Sequence, residues 1–342
     1  MPGAFGLSHA TAGAIQQAME TVIATASPFA LDGAKPLDPA KFRDPLVTAK
    51  GDPRAQVAMT ALDTLWFNTG TLCNLACKSC YIESSPRNDA LVYISLAEVT
   101  AYLDEIAALT LPTREIAFTG GEPFMNPEMI AILDLCLSRG FQALVLSNAM
   151  RPMRRHEAAL ADLNQRYGRQ LTIRVSLDHY SQQVHEAERG PNSWDKALDG
   201  LSWLAGQGIS IAIAGRHLEH ESDALARAGF AALFAREALP IDVSDPQQFV
   251  MFPEMDAAAD IAEISTGCWD ILGISPASVM CASSRMVVKH KGAERPTVAA
   301  CTLLPYDPQF DMGASLAEAS RAVKLNHPHC ARFCVLGGAS CS

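Results

Sequence analysis

Three cysteines stand close together, Cys73, Cys77 and Cys80, in the stretch NTGTLCNLACKSCYIESSP from Asn68 to Pro86. Thiols spaced this way converge on one small volume of loop and cannot all be buried core residues. Soft sulfur ligands select zinc, Cu(I) or iron–sulfur clusters. A structural zinc ion is closed by four ligands, whereas three thiolates on a four-iron cluster leave one iron open. About forty residues on, Glu115-Ile-Ala-Phe-Thr-Gly-Gly-Glu-Pro123 reads as a short apolar strand running into two glycines, an acid and a proline. Gly120 and Gly121 let the backbone come close to a ligand, and Glu122 offers an anionic acceptor for an ammonium group.

The C-x3-C-x2-C loop followed at this separation by GGEP resembles the radical SAM superfamily. The resemblance implies a [4Fe–4S] cluster on Cys73, Cys77 and Cys80. S-adenosylmethionine (SAM) would chelate the open iron, with Gly120, Gly121 and Glu122 binding its amino group. It further implies reductive cleavage of SAM to a 5′-deoxyadenosyl radical that takes hydrogen from a substrate, and a reductase such as flavodoxin or ferredoxin as partner. Ser176-Leu-Asp178 followed by Arg189-Gly190 is similar to the S-L-D…R-G stretch of relatives with auxiliary clusters. There the serine and arginine contact the SAM carboxylate, a good match for a guanidinium fork, and the acid lies near the ribose. The family often has a bulky residue just before the third cysteine, near the adenine. Here Ser79 stands in that place, and Tyr81, just after Cys80, is the candidate for the contact.

Six further cysteines, Cys268, Cys281, Cys301, Cys330, Cys334 and Cys341, follow in the spacing C-x12-C-x19-C-x28-C-x3-C-x6-C. The region resembles the SPASM and twitch extensions of radical SAM enzymes, without the full seven-cysteine pattern. It implies one auxiliary [4Fe–4S] cluster on Cys268, Cys281, Cys330 and Cys334; Cys301 and Cys341 could replace one of these or serve a second cluster. A structural zinc site, with His327 and His329 as further ligands, and reactive thiols are the alternatives. Cys136 falls among Ile132, Leu133 and Leu137 on one helix and reads as core.

These residues need elements to hold them. From Leu62 the pattern alternates strand and helix, with strands expected at 63–68, 115–119, 143–147, 172–177, 210–214 and 248–252. Several are continuous apolar runs, as in strands buried on both faces. Ser95-Leu-Ala-Glu98 is a capping box. Asn126-Pro127-Glu128 opens a helix that Gly140 closes; Asn192 or Ser193 opens another, and a long helix spans about 219–237. Six βα units imply a parallel sheet. The resemblance makes it an α/β fold, a partial (β/α)6 TIM-like barrel over 61–264, followed by a small cysteine-rich C-terminal extension over 265–342. Ligand sites in such sheets lie beyond the carboxyl ends of the strands, where these motifs fall. Residues 1–60 read as a leader packed on the barrel. It holds one amphipathic helix through Ile15, Met19, Val22, Ile23 and Ala26, then a proline-broken segment.

Composition narrows the partners. The chain has 342 residues, 49% of them hydrophobic, and a formal net charge of −10, so it can bury a large core. Nucleic acid is a poor partner for such a charge without a basic cluster. No apolar run reaches membrane-spanning length, no signal peptide is evident, and clustered thiols suit a reducing cytoplasm. His179, Tyr180, His185, Arg216, His217 and Glu254 follow strands and are weaker candidates for substrate contact. A small-metabolite substrate is favoured over a ribosomal peptide (thioether formation or epimerisation), because no separate leader-binding domain stands out. The CNLACKSCY loop and the C-terminal HC-x3-C…S-C pattern are also similar to radical SAM proteins linked to arsenosugar synthesis. A non-catalytic iron–sulfur protein is the alternative of another class; it has no need of Glu122, Ser176 or Arg189.

Overall fold

The computed structural model describes residues 27–31, 33–254 and 256–339. The helix expected through Ile15 to Ala26 and the last cysteine, Cys341, lie outside the described residues.

All six expected strands form: β2 Thr64–Asn68, β3 Glu115–Thr119, β4 Gln142–Ser147, β5 Leu171–Ser176, β6 Ser210–Arg216 and β7 Phe249–Phe252. They pair in parallel, each with its sequence neighbour. β2 is buried at every residue, which explains its lack of apolar–polar alternation. Between the strands lie α1 Leu96–Ala108, α2 Met129–Ser138, α3 Arg151–Arg154, α4 Glu157–Tyr167, α5 Gln182–Arg189, α6 Trp194–Gly206 and α7 Asp223–Arg236.

Local chemistry sets their ends. Ser95 and Glu98 close a reciprocal capping box on α1, whose Val99, Tyr102, Leu103 and Ile106 face the core at helical spacing. α2 starts later than expected, because Asn126 Oδ1 takes the amide of Glu128 as a turn and the helix opens at Met129. Gly140 ends that stretch at φ +88°, a conformation that favours glycine. Ser222 caps α7 through the amide of Leu225, so 219–221 is turn instead of helix.

The cysteine-rich part is woven into the same sheet. β8, Ser284–Val288, pairs in parallel with β2, and β9, Thr297–Ala299, folds back antiparallel on β8. The strand order is β7-β6-β5-β4-β3-β2-β8-β9. β1, Gln56–Val57, pairs with β10, Val323–Lys324, tying the leader to the C-terminal region. The sheet therefore runs across the boundary expected at residue 265. Among the described residues no helix is long and apolar enough to cross a membrane.

Candidate active site

The carboxyl end of the parallel sheet opens into a cavity that gathers most of the motif residues. Cys73, Cys77, Cys80, Tyr81, Gly120, Gly121, Ser176, Asp178 and Arg189 all line it. The cysteine loop leaves β2 through Asn68, whose Oδ1 accepts the amide of Gly70. Gly70 and Leu72 then accept the amides of Gly121 and Glu122, so the two motif loops lie backbone to backbone. A Cβ on Gly120 would fall 2.5 Å from the Gly70 carbonyl oxygen, and one on Gly121 would fall 2.2 Å from that of Leu72. The glycines are thus required for loop-on-loop packing as well as for an open cavity wall.

The thiols are set up as ligands. The amide of Leu75 donates to Cys73 Sγ at 3.4 Å and that of Ser84 to Cys80 Sγ at 3.3 Å, as suits sulfur that carries negative charge. Burial pushes the Cys73 thiol up to about 12 and the Cys77 thiol up to about 11, although Arg189 pulls Cys77 down. Both hold their protons until a metal displaces them. Among the described residues no cysteine is joined in a disulfide. Among the described residues, no three His, Cys, Asp or Glu side chains close on a single ion. A cluster asks for something looser, since each thiolate binds a different iron.

Glu122 differs from expectation. It is buried behind the cavity wall and is not among the lining residues. Its carboxylate accepts from Ser147 Oγ, the amide of Asn148 and the amide of Phe124, fastening the loop after β3 to the end of β4. Burial pushes it up to about 7 against the pull of those bonds. Asn148, in turn, donates to Asn74 Oδ1 at 2.9 Å and so grips the cysteine loop from the β4 side.

Asp178 and Arg189 form a bidentate pair, Nε to Oδ2 at 2.6 Å and Nη2 to Oδ1 at 3.1 Å. Burial pushes the Asp178 carboxyl up, and the guanidinium more than offsets this, leaving it below its usual value. The neighbouring Glu188 was not singled out from the sequence. It is buried, accepts the amide and hydroxyl of Ser79 at 2.8 and 2.7 Å, and takes the Ser27 hydroxyl at 2.6 Å. Arg216 reaches Ser79 Oγ at 2.5 Å, pairs with Glu254 and lies 4.2 Å over the Phe29 ring. Just before Cys80 this chain thus places a serine held by a buried carboxylate and an arginine. His179 and Tyr180 both bond to Glu221, and His185 packs edge-on against Trp194; none of the three lines the cavity.

A second cavity lies beside the first, with Leu303 lining both. Cys281, Cys301, Cys330 and Cys334 line it together with His329. Cys281 sits in the short turn before β8 and Cys301 just after β9. Cys330 and Cys334 are four apart in the helical turn Cys330–Val335, hence on one side of it. Cys268 is not in the lining; its sulfur takes the amide of Ser265. Cys136 is buried in α2 among apolar neighbours.

Comparison with known proteins accords with this geometry. Residues 67–226 match the family model of the Radical SAM superfamily. Its members are enzymes that use a [4Fe–4S] cluster and SAM. Among curated proteins, it is 32% identical over 143 residues to the antilisterial bacteriocin subtilosin biosynthesis protein AlbA of Bacillus subtilis, covering 42% of this chain and 30% of that one. It is 25% identical over 150 residues to the Fe-coproporphyrin III synthase of Methanosarcina barkeri, covering 43% and 35%. The match thus spans about a third of the length of these relatives. Among solved structures, Streptococcus suis SuiB bound to S-adenosylmethionine shares the fold at a TM-score of 0.54 and 12% identity, covering 75% of this chain and 64% of that one.

Proposed function

We propose that the chain is a radical SAM enzyme whose active cavity lies at the carboxyl end of strands β2 to β6. The observation that carries this reading is the convergence of Cys73, Cys77, Cys80, Gly120, Gly121, Ser176 and Arg189 on one cavity. We also take β2 to β7 to be the partial (β/α)6 barrel of the family, a reading that the likeness to SuiB supports. A [4Fe–4S] cluster with one open iron, once bound and reduced, supplies electron transfer into SAM and a 5′-deoxyadenosyl radical that takes hydrogen from substrate. The chain's residues do the rest. Cys73, Cys77 and Cys80 hold the cluster, and the amides at Cys73 and Cys80 favour the thiolates. Gly120 and Gly121 leave room for the SAM amino end, with Glu122 bracing their loop from behind. Ser176 and Arg189 bind the SAM carboxylate, Asp178 lies toward the ribose, and Tyr81 toward the adenine. Ser27 and Phe29, resting on Glu188 and Arg216, help to exclude water from the cavity mouth.

Cys281, Cys301, Cys330 and Cys334 would hold an auxiliary [4Fe–4S] cluster of the SPASM/twitch kind, with Cys301 in the place expected for Cys268. Four thiols share this cavity with apolar side chains and His329, a set that gives each iron of a cubane one thiolate. A flavodoxin or ferredoxin supplies electrons in the cytoplasm. The substrate is a small metabolite, in keeping with the match to a porphyrin-forming enzyme; a peptide substrate is the second reading, favoured by the match to a bacteriocin biosynthesis protein.

The test is anaerobic reconstitution with dithionite and SAM, followed by mass spectrometry for 5′-deoxyadenosine, beside a variant with Cys73, Cys77 and Cys80 changed to alanine. Product from the parent alone supports the reading. A full cluster that neither yields product nor binds SAM refutes it. Deuterium passing into 5′-deoxyadenosine from a labelled metabolite or from a labelled peptide then decides the substrate class.

A further inference from the structure

β8 carries a cation inside the protein with no carboxylate hydrogen-bonded to it among the described residues. Arg285 is fully buried. Its Nε donates to the carbonyl of Ala319 at 2.8 Å, Nη1 to those of Cys281 and Ser284 at 2.6 and 2.7 Å, and Nη2 to that of Arg321 at 3.0 Å. Every partner is a backbone carbonyl. Carbonyl dipoles solvate a guanidinium but do not neutralise it, and a buried charge left unbalanced is among the costliest features a fold can carry. The groups able to balance it are sulfurs. Nη1 lies against the Cys281 backbone, and Cys301 follows β9, the strand paired with β8.

As thiols those sulfurs are neutral. Only metal binding makes them thiolates. Four thiolates around an iron–sulfur core carry net negative charge, and more of it after one-electron reduction. An adjacent fixed cation therefore favours the reduced form.

We infer that Arg285 is the internal countercharge of the cluster held by Cys281, Cys301, Cys330 and Cys334, and that it sets that cluster's reduction potential upward. The inference rests on the auxiliary-cluster reading above. Because Nη1 also fastens the Cys281 carbonyl, charge must be separated from positioning. Arg285→Gln keeps hydrogen-bond donors and removes the charge, whereas Arg285→Lys keeps the charge and loses the fork.

Both substitutions are made in the full chain with Cys73, Cys77 and Cys80 changed to alanine, so that one cluster remains. Each protein is reconstituted without oxygen, its iron and sulfide are counted, and its cluster is titrated by EPR-monitored potentiometry. The expected result is a fall in midpoint potential for Arg285→Gln worth at least tenfold in the one-electron equilibrium, about 59 mV, with Arg285→Lys close to the parent. A Gln variant that loads no iron beside a Lys variant that loads normally also supports a need for the charge. An unchanged potential in a loaded Gln variant, equal shifts in both variants, or loss of iron in both overturns the inference and leaves Arg285 a residue that holds the fold. No iron in the parent of this series overturns the auxiliary-cluster reading itself, a separate failure.

Discussion

Removing the guanidinium of Arg189 separates two tasks that the geometry assigns to one side chain. Arg189 and Asp178 are largely buried, with side-chain exposures of 14% and 8%, and share two hydrogen bonds. Arg189→Met strands a buried carboxylate, so the cluster-free protein should lose about 3–5 kcal/mol. Asp178→Asn together with Arg189→Met removes both charges and should recover most of that loss, a coupling of a few kcal/mol. The pH dependence gives a second readout. In the parent, Asp178 is held below its usual value, so its contribution is present above the unfolded carboxylate pKa and is lost as pH falls through the folded one. In Arg189→Met burial is opposed only by the charges of Arg216 and His185, so the folded pKa should rise and the stability that Asp178 contributes above the unfolded carboxylate pKa should shrink or reverse sign. SAM binding follows a different rule. If Arg189 also grips the SAM carboxylate, the single and the double variant both lose a charge-assisted hydrogen bond worth about 1.5–3 kcal/mol, roughly 10- to 100-fold in Kd. The assays are urea unfolding of the cluster-free protein from pH 3 to 8 and SAM titration of the reconstituted one. A double variant that recovers stability and binds SAM like the parent would show that Arg189 only props up Asp178.

Cys301→Ala should abolish iron at the auxiliary site while Cys268→Ala leaves it intact, read as iron per chain in the triad-free background. Glu122 has its carboxyl pushed up to about 7, above the unfolded value, so it holds a proton in the fold that the unfolded chain releases. Stability of the cluster-free protein should therefore drop by about 1.4 kcal/mol per pH unit between roughly pH 4.5 and 7, and Glu122→Gln should flatten that slope. Gly121→Ala places a methyl 2.2 Å from the Leu72 carbonyl and should cost about 1–3 kcal/mol by overpacking. It should also lower triad iron loading, whereas Gly140→Ala, with open space around it, should leave loading unchanged.

The parallel strands and the triad were legible because they depend on local signals. Apolar runs such as Leu65–Phe67 of β2 and Ala143–Leu146 of β4 need burial on both faces, and the cysteine spacing is itself that of the proposed ligands. Glu188 was not legible. It acts on Ser79, 109 positions away in sequence, and within α5 it stands among polar neighbours like any surface glutamate. Cys301, and not Cys268, lines the second cavity because of the hairpin of β8 and β9. Met286 pairs with Ala299, so the register carried two residues further sets Cys301 opposite Ser284, three residues from Cys281. The β-branched runs around Gly292 held that signal. Glu122 is another case: an acid after two glycines looks exposed, whereas it is buried and bonded to Ser147 and Asn148 at the end of β4.

Strand order also predicts how far the charge of Arg285 reaches. Arg285 pairs with Leu65 on β2, three residues short of Asn68, where the strand gives way to the cysteine loop. About 10 Å of strand and then the loop separate it from the triad, whereas its own Nη1 touches Cys281. At an effective dielectric constant of about 20, a unit charge acts with about 3 kcal/mol at 6 Å and about 1 kcal/mol at 15 Å. In the enzyme carrying both clusters, Arg285→Gln should therefore lower the auxiliary potential by about three times as much as that of the SAM-binding cluster. Potentiometry with SAM present, which gives the two centres distinct EPR signals, measures both in one titration. Equal shifts at the two centres would mean that Arg285 acts by loosening the shared sheet, since charge alone must weaken with distance.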